Sequence, residues 1–127
     1  INPAYVSTIS DGTLSNYIRS VYYAAAGTSD DSTVAVGGVI QCSLSSTSQL
    51  TLNTKHKNAF AYKSNAFARS ANGAAVLTDA TGTLPTVDRL NIGASYNGGN
   101  PINGHISRIT YFPSRLTNAE IQALSTL

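Results

Sequence analysis

The sequence predicts an all-β fold, an antiparallel β-sandwich that ends in one short helix. Three observations lead to this prediction. Strand-like runs recur at short intervals and are separated by turn residues, which is the spacing of all-β domains. Charged residues make up 11% of the chain, against about 25% in an average globular domain. A helix-capping pattern stands near the last residue, after a chain that otherwise alternates like strands.

The length and composition restrict the classes of protein to consider. The 127 residues are expected to form a single domain, residues 1–127, with its own core. The chain lacks Met and begins with Ile1, so we expect it to be the C-terminal part of a longer polypeptide. The net charge of +2 is small and the basic residues are scattered along the chain, so no nucleic-acid binding is expected. No apolar run approaches the roughly 20 residues of a bilayer-spanning helix, so no membrane insertion is expected either.

The first half of the chain contains two strand-like runs and one longer alternating stretch. YVSTIS, which ends before Asp11-Gly12, and NYIRSVYY are predicted as strands, and AAAGTSDDST as the following loop. In TVAVGGVIQCSL the apolar residues of one parity are expected to face the core: Val34, Val36, Ile40, Cys42 and Leu44. Gly37-Gly38 in the middle of this stretch indicates either a hairpin turn or a bulge within one long strand. Because Cys42 is the single cysteine, core packing is its expected role.

The second half contains a hairpin signal and further strand-like runs. KNAFAYK alternates, so its aromatic residues are expected on one face and its alanines on the other. Asn72-Gly73 lies between two strand-like runs and predicts a type I′ turn, because both positions favour positive φ. DRLNIG and HISRITYF are predicted as the last two strands. Ile106 and Ile109 differ in parity within the latter, so we expect a bulge between them.

The helix is predicted from its capping residues. Thr117 and Glu120 stand at the spacing of a capping box, and Leu116 and Ile121 at that of a hydrophobic staple. Ile121 and Leu124 form an apolar stripe. Because so short a helix is marginal in water alone, we expect it to dock on the sheet.

The C-terminal half resembles a known family. LNIGASYNGGNPINGHISRITYFPSRLTNAEIQALSTL resembles the closing segment of concanavalin A-like lectin/glucanase domains, the laminin-G-like jelly rolls. The shared pieces are Ile92-Gly93, Asn103-Gly104, Ile106/Ile109/Tyr111, Pro113, Leu116-Thr117 and Glu120. FAYKSNAFARSANGAAVLTDATGTLP resembles the paired central strands of the same family, in the variant found in bacteriophage tail and other virion proteins. The resemblance implies a closing strand beside an N-terminal strand, and a helix that covers one open end of the sandwich.

An enzymatic function is not expected. Glycoside hydrolysis requires two carboxylates at a defined separation, and the six acidic residues of this chain form no cluster in the sequence. The only glutamate, Glu120, is assigned to the helix cap. GASYNG is close to the G-x-S-x-G pattern of acyl-transfer enzymes but lacks its second glycine and the strand-to-helix context.

Two loops contain candidate binding residues. In ASYNGGNPIN, the ring of Tyr96 could stack on a sugar, and the amides of Asn97 and Asn100 could bind its hydroxyls. The alternative is a tolerant hairpin loop whose tyrosine packs on its neighbour. Asp30-Asp31 could contribute to a calcium site at the rim of the sandwich. We favour an Asx-type turn at this position, and we expect no other cofactor.

The resemblance implies a function on a virus particle. We expect a non-catalytic, lectin-like domain of a phage virion protein, in a tail fibre, spike or head fibre, that binds host-surface glycan at the virion surface. Repeated copies add avidity, so the expected parent is a homo-oligomer such as a trimer. Tyr22, Tyr23 and Arg108 are candidate subunit contacts, and His105 is read as scaffold. The alternative is a purely structural domain that decorates the particle and binds only other virion protein subunits.

Overall fold

The domain is a two-sheet sandwich with a helix packed on one sheet. The computed structural model describes residues 3–23, 29–46, 51 and 53–127. The elements of this part are β1 (Pro3–Ser10), β2 (Tyr17–Tyr23), β3 (Asp30–Val36), β4 (Val39–Ser45), β5 (Asn58–Lys63), β6 (Ala66–Ala71), β7 (Leu77–Asp79), β8 (Arg89–Ile92) and α1 (Asn118–Ser125). A large sheet has the strand order β4-β3-β2-β1-β8 and a small sheet the order β5-β6-β7. All strand pairs are antiparallel. The predicted all-β sandwich with one C-terminal helix is therefore confirmed.

The main core lies between the two sheets. We call the face of the large sheet that is turned towards the small sheet its inner face, and the opposite face its outer face. Five apolar residues lie side by side across the inner face: Leu90, Ile9, Ile18, Val34 and Cys42. Phe67 of the small sheet packs against the middle of this row, with Leu44 beside it. The burial of Cys42 agrees with its expected role in the core.

The Gly37-Gly38 segment is a hairpin turn. Both glycines have positive φ, 57° and 80°, and the paired residues Val36 and Val39 flank them. A bulge follows on β4, because Ala35 pairs with Ile40 while Val34 pairs with Cys42. The extra residue reverses the side-chain parity. The prediction that Ile40 faces the core is therefore wrong, and its side chain is 51% exposed on the outer face.

The Asn72-Gly73 turn is confirmed. These residues have φ angles of 51° and 75°, as a type I′ turn requires. The amide of Ala74 donates to the carbonyl of Ala71 at 2.9 Å. The turn connects β6 to β7, which pair in an antiparallel register.

The predicted strand HISRITYF is wrong, because residues 105–112 lie outside the strands. The place beside the N-terminal strand is taken by β8, which pairs with residues Ser7 to Ser10 of β1. The chain then leaves this edge in an irregular path on which Ile109, Tyr111 and Phe112 are exposed. The parity change in this segment therefore reflects the absence of a strand and not a bulge in one.

The helix begins as predicted and docks on the small sheet. Thr117 accepts a hydrogen bond from the amide of Glu120, and the Glu120 carboxylate accepts one from the amide of Thr117 at 2.7 Å. Ile121 packs with Ala61 and Ala68 in a second cluster. These alanines lie on the face of the small sheet opposite Phe67, so the helix forms a third layer and does not cover an end of the sandwich. No helix in the described ranges is long and apolar enough to cross a membrane.

Candidate functional site

The loop that contains Tyr96 has a defined conformation. The amide of Ile102 donates to the carbonyl of Gly93 at 2.9 Å and closes the loop. Within it, the amide of Gly98 donates to the carbonyl of Ser95 at 2.9 Å, so Tyr96 and Asn97 form the centre of a turn. The Asn97 side chain accepts from the amide of Gly99 at 2.9 Å. Hydrogen bonds therefore define the backbone of this turn and the position of the Asn97 side chain.

This loop is attached to the outer face of the large sheet. Thr8 and Asn91 are cross-strand partners whose side chains project from the outer face. The Thr8 hydroxyl donates to the carbonyl of Ala94 at 3.1 Å, and the Asn91 amide donates to the carbonyl of Ser95 at 3.0 Å. The carbonyl of Asn100 also accepts from an amide of β1, at 3.2 Å. The loop thus borders the outer face.

The outer face itself bears aromatic side chains around one arginine. We call this cluster the tyrosine face; its members are Tyr5, Tyr17, Arg19 and Tyr23. The guanidinium carbon of Arg19 is 4.2 Å from the ring centroid of Tyr17 and 5.4 Å from that of Tyr5. Its Nη1 donates to the Tyr5 hydroxyl at 3.2 Å. Tyr5 and Tyr17 are only 6% and 5% exposed, whereas Arg19 and Tyr23 are half-buried.

Burial keeps the phenols of Tyr17 and Tyr23 protonated. Burial raises the pKa of Tyr17, and the nearby Arg19 partly opposes this effect. Burial also raises the pKa of Tyr23, and the charge of Asp31 raises it further. Both hydroxyls are therefore hydrogen-bond donors and acceptors at neutral pH. Aromatic rings combined with neutral hydroxyls suit a ligand that has apolar faces and polar edges.

Asp31 lies on the outer face beside these residues. Its carboxylate accepts hydrogen bonds from three hydroxyls, those of Thr33 at 2.5 Å, Ser45 at 3.1 Å and Ser43 at 3.3 Å. Ser43 and Ser45 belong to the edge strand β4 and are exposed. The carboxylate is itself buried, and the exposed hydroxyls of Ser43 and Ser45 form a rim between it and the surface.

Asp30 lies on the inner face, because neighbouring strand residues point to opposite sides. Its carboxylate forms a buried ion pair with Nη2 of Arg69 and accepts from Nε2 of His56 at 2.7 Å. Burial alone would raise the pKa of Asp30, but the hydrogen bond from His56 and the charge of Arg69 outweigh it, and the pKa is lowered. The Arg69 Nε also donates to Ser32 at 3.1 Å, so the pair connects the two sheets.

The predicted loop AAAGTSDDST is wrong from Asp30 onward, because Asp30 and Asp31 are buried in β3, and its residues 24–28 lie outside the described residues. Because the side chains of Asp30 and Asp31 point to opposite faces of the sheet, they do not converge on one position, and the predicted Asx-type turn is wrong. Within the described ranges no three His, Cys, Asp or Glu residues are grouped as metal ligands. The sequence did contain a signal of the ion pair. Arg69 has the parity of the buried Phe67, and an inward arginine requires a carboxylate.

His56 is held in one tautomer. The Asn72 side-chain oxygen accepts from the amide of Lys57 at 2.8 Å, so its Nδ2 faces His56 Nδ1, 3.0 Å away. Nδ1 is then the acceptor, and the proton on Nε2 is donated to Asp30. The rings of His56 and Tyr22 are in edge-to-face contact, with their centroids 4.9 Å apart. Burial raises the pKa of Tyr22 to about 12.

The structure separates the residues predicted as subunit contacts. Tyr22 points to the inner face beside His56, whereas Tyr23 belongs to the tyrosine face. Arg108 is exposed on the irregular segment, as is His105. By contrast, the glycan-binding residues predicted from the sequence lie together: Tyr96 is half-buried, and Asn97 and Asn100 are exposed. The sequence does not point to Tyr5, Tyr17 or Arg19, and it suggests Asp31 only as a calcium ligand.

Comparison with known proteins gives information on the fold alone. No family model matches the chain, and no curated protein matches it. Among solved structures, the chain is similar to the crystal structure of residues 221–444 of an S-layer domain-containing protein from Clostridium thermocellum, with a TM-score of 0.52 and 19% identity. The match covers 99% of this chain and spans 64% of that structure. The architecture of the sandwich thus also occurs in a protein of distant sequence.

Proposed function

We propose that this domain is a non-catalytic, lectin-like module that binds host-surface glycan through the tyrosine face and the adjoining Tyr96 loop. We further propose that it belongs to a phage virion protein, in a tail fibre, spike or head fibre, and acts at the virion surface as part of a homo-oligomer. The viral setting rests on the resemblance of the segments that contain Asn72-Gly73 and the capping box. The proposal that it binds glycan rests on the geometry of the outer face.

The observation that supports glycan binding best is the placement of aromatic, amide and hydroxyl groups on one side of the large sheet. Tyr23 and Arg19 are partly accessible there, and Ser43 and Ser45 line the adjacent edge. The Tyr96 loop borders the same face through Thr8 and Asn91. Sugars present apolar ring faces and polar hydroxyl edges, and this set of side chains can contact both.

The test is binding of the domain, linked as an oligomer, to bacterial cells and to a panel of purified surface polysaccharides. We expect saturable binding that falls at least about tenfold in Tyr23→Ala and in Tyr96→Ala, since a desolvated aromatic contact contributes on the order of 1–2 kcal/mol. Tyr111→Ala is the matched control, because Tyr111 is an exposed tyrosine that lies off the outer face. Loss of binding with EDTA would add a calcium requirement. A folded domain that binds none of the cells or polysaccharides contradicts the proposal.

A decoration role, in which the domain binds other virion proteins, is the second candidate. A different surface favours it: an apolar groove of about 410 Å³ is lined by Phe112, Leu116, Glu120, Ala123 and Leu124. Large apolar side chains are exposed near it on the same terminal segment, among them Tyr111 and Leu127. Exposed apolar patches often mark protein contacts. Particle assembly that is reduced by Leu124→Ser and unaffected by Tyr23→Ala would favour this role.

A further inference from the structure

We propose that the glycan bound at the tyrosine face bears a carboxylate, and that Arg19 is the residue that recognises it. This inference rests on the proposed function and specifies its ligand. The ligand class would be an acidic polysaccharide in which isolated uronic-acid-type sugars alternate with neutral ones.

The first reason is the charge of Arg19. Within the described residues, the other arginines of the strands have carboxylate partners: Arg69 pairs with Asp30, and Arg89 with Asp88. Arg19 has none, although it is half-buried. Its charge faces the rings of Tyr5 and Tyr17 instead. Cation–π contacts favour this position but leave the cation without a counter-ion.

The second reason is the unused hydrogen-bonding capacity of the guanidinium. Nη1 donates one hydrogen bond to the hydroxyl of Tyr5. Nε is buried without an acceptor among the described residues, so a ligand can meet only the terminal nitrogens of the guanidinium. A guanidinium can donate to both oxygens of a carboxylate. Because the two rings already fix its position, a bound anion would meet donors that need little further ordering.

The third reason concerns Asp31, which limits the kind of anion. Its carboxylate is stabilised by Thr33, Ser43 and Ser45 and does not form an ion pair with Arg19. A second negative charge on the same face repels a densely charged polymer. A single carboxylate next to neutral sugars can contact Arg19 and present hydroxyls to the Asp31 rim. The arrangement therefore favours sparse over dense negative charge.

The experiment compares two forms of one polysaccharide, a uronic-acid-containing polymer and the same polymer after chemical reduction of its carboxyl groups to alcohols. Binding of the linked oligomer is measured on both. We expect the native polymer to bind at least about tenfold more tightly, since hydrogen bonds to charged groups are among the stronger ones. Arg19→Gln should abolish the difference, and Arg19→Lys should retain part of it. Arg108→Gln, which removes an exposed arginine of the irregular segment that is not part of the tyrosine face, should leave the difference unchanged.

The outcomes separate the two proposals. If the oligomer binds both forms equally, glycan binding stands and the acidic ligand is wrong. If it binds neither form, nor any other polysaccharide of the panel, the proposed function itself fails. If Arg19→Gln does not fold, Arg19→Lys decides: an unchanged preference for the native polymer at low and high salt contradicts the role of Arg19. Tighter binding to a heavily sulfated polymer than to the native one would overturn the argument from Asp31.

Discussion

Asp30 and Arg69 show how a single pair of side chains connects the two sheets. Both are almost completely buried, and Asp30 also accepts from His56. Removing one member of such a pair leaves the other charge buried without a partner. Substitution of either residue should therefore lower the stability of the sandwich strongly, whereas ion pairs on protein surfaces contribute little to stability.

We predict that Asp30→Asn lowers the free energy of unfolding by about 3 kcal/mol, because it leaves the buried Arg69 cation uncompensated. Urea unfolding followed by far-UV circular dichroism measures this change. Asp88→Asn is the matched control, since it removes the carboxylate of the exposed pair with Arg89. If the two variants lose the same amount, the buried pair does not connect the sheets as described.

The same residue predicts a dependence on pH. The pKa of Asp30 is lowered in the folded protein, so the unfolded chain takes up its proton first as the pH falls. The stabilisation from Asp30 is complete above the unfolded pKa of about 4 and is lost as the pH falls through the lower folded value. Urea unfolding at a series of acidic pH values should give a steeper loss for the native sequence than for Asp30→Asn. Parallel curves would contradict this assignment.

At the scale of elements, the docking of α1 on the small sheet depends on one face of the helix. Ile121 is 2% exposed and packs on the alanines of β5 and β6, whereas Leu124 on the same helix is 47% exposed. We predict that Ile121→Ala lowers the free energy of unfolding by about 2–4 kcal/mol. Leu124→Ala should cost less than about 1 kcal/mol. Thermal or urea unfolding of the two variants measures the contrast, and equal losses would show that the helix docks through another surface.

The elements that the sequence predicts correctly are those set by local chemistry. Asn72-Gly73 specifies its turn through positive φ, and the Thr117 capping box specifies the start of the helix. HISRITYF failed because strand formation depends on a free neighbouring edge, which a sequence does not show. The prediction for Ile40 failed for a related reason, since the bulge that turns its side chain outward depends on the register of the hairpin.

Only the part of the candidate site that is local in sequence was predicted. Tyr96, Asn97 and Asn100 are close in sequence, and their loop was identified from composition. The tyrosine face combines residues of β1 and β2, and its members meet only after the strands pair. One part of it could have been found, since Tyr17, Arg19 and Tyr23 share one parity of β2. The alternation is obscured by Tyr22, which adds an aromatic residue of the opposite parity.

At the scale of the whole molecule, Cys42 reports on the integrity of the sandwich. It lies in the core between the sheets, and burial raises the pKa of its thiol to about 12. We predict that thiol reagents do not modify the folded protein at pH 8, a pH at which an exposed cysteine reacts readily. The labelling rate in increasing urea should follow global unfolding. Rapid labelling in the absence of urea would show that the sheets separate locally.

The strand order has a consequence for synthesis on the ribosome. One edge of β1 pairs with β8, which is translated much later. The hydroxyl of Thr8 likewise donates to the carbonyl of Ala94, 86 residues further along the chain. The edge of β1 therefore stays open while most of the domain is translated. The edge of β1 stays accessible to other chains until β8 has left the exit tunnel and pairs with it. Slow closure of this kind favours association between neighbouring nascent copies.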